Sequence, residues 1–211
     1  MATRGTKPAA SRERGRRLSP EARREQLIAV GLELLKTSPF DQVTTEQIAE
    51  RAGISNALVF HYFPTRRELQ AAVLRAAARE LFEQLVARPE VSFEEQLRSG
   101  LEAFVDFIEQ QPGTYVALVR STGTDPQLLE VFEETRRDIV QFIAERLGID
   151  DPPVAMRIAI RGWIAMVEET TLDWLDSRAF PRELLTGYLE RAAFTLLPLA
   201  LDLVEQAAPD V

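Results

Sequence analysis

Helix-opening signals recur along this chain so often that they leave room for little except a succession of helices. Thr44 and Gln47, Thr65 and Glu68, and Ser92 and Glu95 have the spacing of capping boxes. In such a box the hydroxyl accepts from an amide three residues on, and the longer side chain reaches back. Ser19-Pro20-Glu21, Asp125-Pro126 and Asp151-Pro152 place a capping oxygen before a proline, whose missing N–H is harmless in a first helical turn. Gly53, Pro64, Pro112-Gly113 and Gly148 supply the stops. No run of alternating Val, Ile and Thr marks a strand. The fold class predicted is therefore all-α, with nine helices: 19–36, TTEQIAERA, ISNALVFHYF, 65–88, 92–111, TYVALVRST, 125–148, 151–178 and 181–206. The first buries Leu27, Val30, Leu34 and Leu35. Three compact helices form a head over 19–64 and the longer ones a body over 65–211. A polar, Arg-rich arm without periodicity, 1–18, precedes them.

Charge separates the same parts. Residues 1–75 carry 13 Lys and Arg against 8 Asp and Glu, whereas 76–211 carry 12 against 25. The net charge of −8 thus hides a basic head suited to a polyanion and an acidic body. There is no cysteine and only one histidine, His61, which removes thiolate sites and makes histidine metal clusters and Ser-His-Asp triads improbable. The body has neither His nor Cys, a thin kit for acid-base or nucleophilic catalysis. An enzyme is not expected, nor a metal or other cofactor. No uninterrupted apolar stretch approaches the roughly 18 to 20 residues that cross a bilayer, and the basic N-terminus lacks a hydrophobic signal core. The expectation is a cytoplasmic protein with no membrane partner.

The two short helices around Gly53 have the helix-turn-helix arrangement. A recognition helix packs its rear on the domain and offers its front to base edges. In ISNALVFHYF the rear positions are Ile54, Val59 and Phe63, which leaves Asn56, Ala57, Phe60 and His61 in front. Asn can read adenine with two hydrogen bonds, and Ala57 can meet a thymine methyl. Thr44, Thr45, Ser55, Tyr62 and Arg66 suit phosphate contact, since hydroxyls, guanidinium groups and free amides at helix starts all bind phosphate oxygens. Arg12, Arg14, Arg16 and Arg17 in the arm could track phosphates or enter the minor groove. They could equally form a solubilising tail.

The run VTTEQIAERAGISNALVFHYFPTRREL, residues 43–69, resembles the DNA-binding signature of the TetR family of bacterial transcriptional regulators. Thr-Thr, Ile-Ala, Ala-Gly-Ile-Ser, Tyr-Phe-Pro and Glu-Leu all fall at the family's spacing. The resemblance points to the same DNA-contacting positions and makes His61 a DNA contact rather than a catalyst or ligand. It departs where members often have Lys-Gly-Thr followed by Leu-Tyr and this chain has Asn56-Ala57-Leu58 followed by Val59-Phe60. The operator should differ accordingly.

In the body, Leu185, Leu189, Ala192, Leu196, Leu199 and Leu203 are spaced four, three, four, three and four apart, a heptad-like seam that core packing would also produce. Trp174 lies on a stripe of the preceding helix. The resemblance implies a dimer interface made by the last two helices of each subunit, and double-stranded DNA with a palindromic operator as partner. It also implies a cavity among the middle helices for a small-molecule effector. Phe82, Phe104, Phe107, Tyr115, Val119, Phe132, Phe142, Trp163 and Met166 are the candidate apolar lining, with Tyr115, Arg120, Arg161, Glu169 and Thr170 as polar anchors, although most aromatics are expected to be core. Glu169, Asp173 and Asp176 could meet a cation. Arg120 and Arg161 could instead meet a carboxylate or phosphate, so a lipophilic or acyl-CoA-like effector and a cationic one both stay open. The functional expectation is a homodimeric repressor released from DNA by its effector, with activation as the alternative.

Overall fold

A computed structural model describes residues 18–86, 90–110 and 125–207. Among them are eight α-helices and one 3₁₀ turn, with no strand. These are α1 (Pro20–Leu35), the turn Phe40–Gln42, α2 (Thr45–Ala52), α3 (Asn56–Tyr62), α4 (Arg66–Val86), α5 (Phe93–Gln110), α6 (Pro126–Arg146), α7 (Val154–Ser177) and α8 (Arg182–Ala207). The segment TYVALVRST, expected as a further helix, lies outside the described residues, as do residues 1–17 of the arm.

Most of the expected caps form. The Ser19 hydroxyl accepts from the Ala22 amide at 3.1 Å, and Ser92 from Glu95 at 3.1 Å. Thr44 and Gln47 complete their reciprocal box, at 3.2 and 2.9 Å. Asp125 accepts from the amides of Gln127 and Leu128. Asp151 is the exception: α7 starts after Pro153 with no side-chain cap. Gly53 ends α2 with φ +67°, a left-handed conformation that a Cβ would strain, so the chain turns there into α3.

Two apolar clusters hold the chain. The first gathers Leu27, Leu34 and Leu35 of α1 with Phe40, Val43, Ile48, Val59 and Phe63. Val30 stays half-buried at its edge. Leu69, Val73 and Leu74 of α4 belong to the same cluster, as do Leu128 and Val131 of α6. At Gly31 a Cβ would stand 2.4 Å from Val73 Cγ2, so the absence of a side chain is what lets α1 approach α4. The second cluster joins α5, α6, α7 and α8. There Trp163 donates from Nε1 to the Leu189 carbonyl at 2.9 Å, and Trp174 to that of Phe180 at 2.8 Å. These contacts pair α7 and α8 antiparallel.

Candidate nucleic-acid interface

The α2–α3 unit is built so that one face of α3 is left over. Val59 and Phe63 are buried and Ile54 half-buried, the expected rear. Ala57, Phe60 and His61 are exposed on the opposite side, Phe60 at 41%. Tyr62 is half-buried and sits edge-on to His61, with ring centroids 5.1 Å apart. The exposed Ser55 caps α3 by accepting from the Leu58 amide at 3.3 Å.

Other expected contacts are already engaged within the chain. The Thr44 hydroxyl and amide are both used in its capping box. Thr45 is 5% exposed and donates its hydroxyl to Glu46 Oε2 at 3.1 Å, so its side chain is not free for a phosphate. Arg66 donates from Nη2 to the carbonyls of Asp41 at 2.7 Å and Val43 at 3.4 Å, which ties the 3₁₀ turn to the start of α4. Asn56 donates from Nδ2 to Glu46 Oε1 at 2.8 Å, while its Oδ1 is buried without a partner. The amide therefore does not present both its ends to solvent. Arg12, Arg14, Arg16 and Arg17 lie outside the described residues.

Two residues enter this unit that sequence reasoning did not single out. Glu46 is held below the usual carboxylate range first by its own backbone N–H, then by Thr45, with Thr44 and Asn56 adding to it against a smaller effect of desolvation. Arg24 of α1 donates to the Tyr62 carbonyl and stacks over Phe63 at 4.2 Å, which fastens the end of α3. An acid in the first turn of α2 was visible, but its partner ten residues away was not.

Behind the head, α4, α5, α6 and α7 enclose an apolar cavity of about 150 Å³. Phe82, Phe104, Phe107, Phe132, Phe142 and Trp163 line it, all of them among the expected residues, joined by Leu81. The polar part of the wall is Thr135, Arg136 and Glu168. Arg136 pairs with Glu168 at 2.6 Å and with Glu133 at 3.1 Å, and Glu133 also pairs with Arg161 at 2.7 Å. Burial opposes ionisation of Glu133, but hydrogen bonds from Arg161 and Arg136 outweigh it and lower its pKa. Burial likewise works against the Arg136 charge and is outweighed by Glu168 and Glu133.

Four of the expected cavity residues are elsewhere. Met166 is half-buried against the body core, Glu169 points outward, and Arg161 and Thr170 are not in the wall. One residue along a helix turns the side chain by about 100°, so Glu168 faces in where Glu169 cannot. Tyr115, Val119 and Arg120 lie outside the described residues. Among the described residues no group of His, Asp or Glu is placed to hold a metal ion.

The expected seam on the last helix is also rotated. Leu185 and Leu189 are fully buried in the body core, and Trp174 is 3% exposed beneath α8. Ala192 and Leu196 are half-buried and pack on the same core. Only Leu199, at 54%, faces out, and the side chain of Leu203 is outside the described set. The outward apolar face is instead Leu184, Tyr188 and Leu199, with Ile158 on α7 exposed at 65%. The stretch Arg182–Asp202 is long and apolar enough in composition to cross a membrane, contrary to the expectation for this chain, and about a third of it is buried. Glu190 in its middle pairs with Arg98 of α5 at 2.8 Å, and its neighbours pack on α5 and α7. The surplus apolar surface is thus one face of a packed helix.

Known proteins share this arrangement. Residues 27–73 match the family model described as bacterial regulatory proteins, tetR family, and residues 93–196 that described as tetracyclin repressor-like, C-terminal domain. The chain is 29% identical over 177 residues to the HTH-type transcriptional activator FasR of Mycolicibacterium smegmatis, covering 81% of this chain and 80% of the relative. It is 28% identical over 162 residues to the HTH-type transcriptional regulator BetI of Serratia proteamaculans, covering 74% and 80%. A solved tetR-family transcriptional regulator from Streptomyces coelicolor is similar with a TM-score of 0.72 at 30% identity, covering 90% of this chain and 86% of that one.

Proposed function

The chain belongs to the TetR family of bacterial transcriptional regulators, and from that premise we propose a homodimeric repressor that a small, apolar, neutral effector releases from a palindromic operator. The observation that carries the DNA-reading part is the outward face of Ala57, Phe60 and His61 on a helix whose rear is locked by Val59 and Phe63. Ser55, Asn56 and Tyr62 flank that face, and the Thr45 amide in the first turn of α2, which has no intrahelical acceptor, is offered to phosphate. The arm arginines add sequence-independent affinity that falls with salt. The functional division runs inside α4, since residues through Leu74 pack with the head.

Two heads need a dimer, because one short helix reads too few bases for selectivity and paired half-sites lie about 34–36 Å apart or a larger helical multiple. Leu184, Tyr188 and Leu199, with Ile158, are the apolar face available to a second copy. The cavity favours a neutral guest over an acyl-CoA-like or cationic one. The charged groups of its wall, Arg136 and Glu168, already pair with each other, and Arg136 also with Glu133 behind it, so a charged ligand would have to break a pair in a desolvated wall. Effector and DNA are linked through α4 and α6. Leu74 and Val131 lie both in the head cluster and in the cavity wall. A guest that fits better when these helices separate must weaken DNA binding by the same factor. Binding chromosomal DNA places the protein in the cytoplasm.

A second reading, activation, draws on the FasR relative, whose description is that of an activator. Gel shift of the full chain against its own upstream region, with and without competitor DNA, tests the shared core of both. A specific, salt-sensitive shift is expected, and a folded dimer that gives none overturns the proposal. A promoter fusion assayed with and without the protein then separates repression from activation.

A further inference from the structure

We propose that Glu46 is a specificity-determining residue: by taking an amide proton of Asn56 it makes that side chain a hydrogen-bond donor only, and so selects which base edge it can meet. This rests on α3 being the helix that enters the major groove.

An ionised carboxylate can only accept hydrogen bonds, so the nitrogen end of the Asn56 amide must face it. The contact is Nδ2 to Oε1 at 2.8 Å, between the first turns of α3 and α2. The opposite end, Oδ1, is buried and has no partner. Asn56 is thereby left with its acceptor turned inward and one amide proton to offer. Reading adenine with two bonds requires a donor to N7 and an acceptor for the N6 amino group. Held this way, Asn56 can donate to purine N7, guanine O6 or thymine O4, and it cannot accept.

Glu46 is itself kept in place. The Thr45 hydroxyl donates to its other oxygen, Oε2, at 3.1 Å, and Thr45 is buried. Its pKa lies below the usual carboxylate range, with the contact from its own backbone N–H as the largest cause, so at neutral pH it is charged and able only to accept. The two oxygens are therefore divided between a buried hydroxyl of its own helix and the amide of the reading helix. Asn56 cannot turn its Oδ1 toward Glu46 without setting two acceptors against each other. The arrangement acts through Asn56, so Glu46 is a positioning residue and need not touch DNA. As a carboxylate beside a polyanion it also lowers affinity for DNA of any sequence.

The test uses full-length protein and a duplex enriched on the wild type from a random-sequence pool. Each base pair is then substituted in turn, and affinity is read by fluorescence anisotropy at one salt concentration. N56A is expected to lose about tenfold discrimination at a single base pair, within the range of one base-edge contact. E46A should bind all duplexes more tightly, lose a similar factor at that same pair, and shift its preference there toward adenine. E46Q, whose Oε1 can still accept from Asn56, should keep the discrimination while gaining the general affinity. In the N56A background, E46A should change no base preference. Thermal melting of each variant confirms that the head is folded. An unaltered base profile in E46A, a loss in E46Q equal to that in E46A, or an equal change in the N56A background overturns the proposal. If N56A and His61→Ala both leave the base profile unchanged, the reading of α3 as the recognition helix falls, and this inference with it.

Discussion

Arg75 and Glu134 clasp α4 to α6 through two parallel hydrogen bonds, Nε to Oε2 at 2.7 Å and Nη2 to Oε1 at 3.3 Å. Glu134 is held below the usual carboxylate range first by the hydrogen bond from Arg75, against a smaller desolvation effect. The clasp joins the helix that leaves the head to a helix that lines the cavity.

A lowered folded pKa gives stability that is present above the unfolded value and lost as pH falls through the folded one. The clasp should therefore open only below the ordinary glutamate value of about 4.3. Glu134→Gln is expected to flatten the acid limb of a Tm-against-pH curve. At neutral pH the loss should be at most about 1 kcal/mol, because both partners are a third or more exposed and solvent screens the pair. A full-sized acid transition in the variant would show that other carboxylates govern it.

Ala78 of α4 faces the cavity, so a larger side chain there should take the place of a guest. Ala78→Phe is expected to abolish binding of naphthalene, followed by its own fluorescence, while a folded melt is retained. A cavity of about 150 Å³ suits a ligand of that size. If the variant still takes up naphthalene with wild-type affinity, this cavity is not the site.

The outward and inward positions of α8 should behave oppositely. Tyr188→Glu together with Leu184→Glu should yield a folded monomer by light scattering, since these side chains are exposed within one chain. Leu189→Ala should instead lower stability by about 2–5 kcal/mol, the usual cost of truncating a buried leucine. A folded dimer in the double variant would place the interface elsewhere.

His61 and Val59 are two residues apart and face opposite ways. His61→Ala should weaken operator binding about tenfold, as loss of one base-edge contact does, with no change in melting or in dimerisation. Val59→Ala should destabilise the head by about 1–3 kcal/mol through the space it leaves in a fully buried site. Equal melting losses in both would mean that His61 packs rather than reads.

Some of the site was legible before any packing was known. The pairs Thr44–Gln47, Thr65–Glu68 and Ser92–Glu95 all form, because a capping hydroxyl and its amide are only three residues apart. The rear face of α3 followed from helical period alone. Asp151 shows the limit even of local signals, since α7 opens two residues later on Pro153 without using it.

Residue order was enough for the all-helical class, for the bounds of the described helices within a few residues and for the inward side of α3, since these depend on contacts within one or two turns. Tertiary structure alone decided which stripe of α8 is core. Leu185 and Leu189 share the three-and-four spacing that a dimer seam also needs, and only the position of α5 and α7 tells the two apart. It likewise decided that Glu168 and not Glu169 enters the cavity wall, and that the charges there cancel. The Glu46–Asn56 contact belongs to the same class. It spans two helices whose relative angle is set by the turn at Gly53 and the core behind Val59, and no periodicity within either helix records that angle.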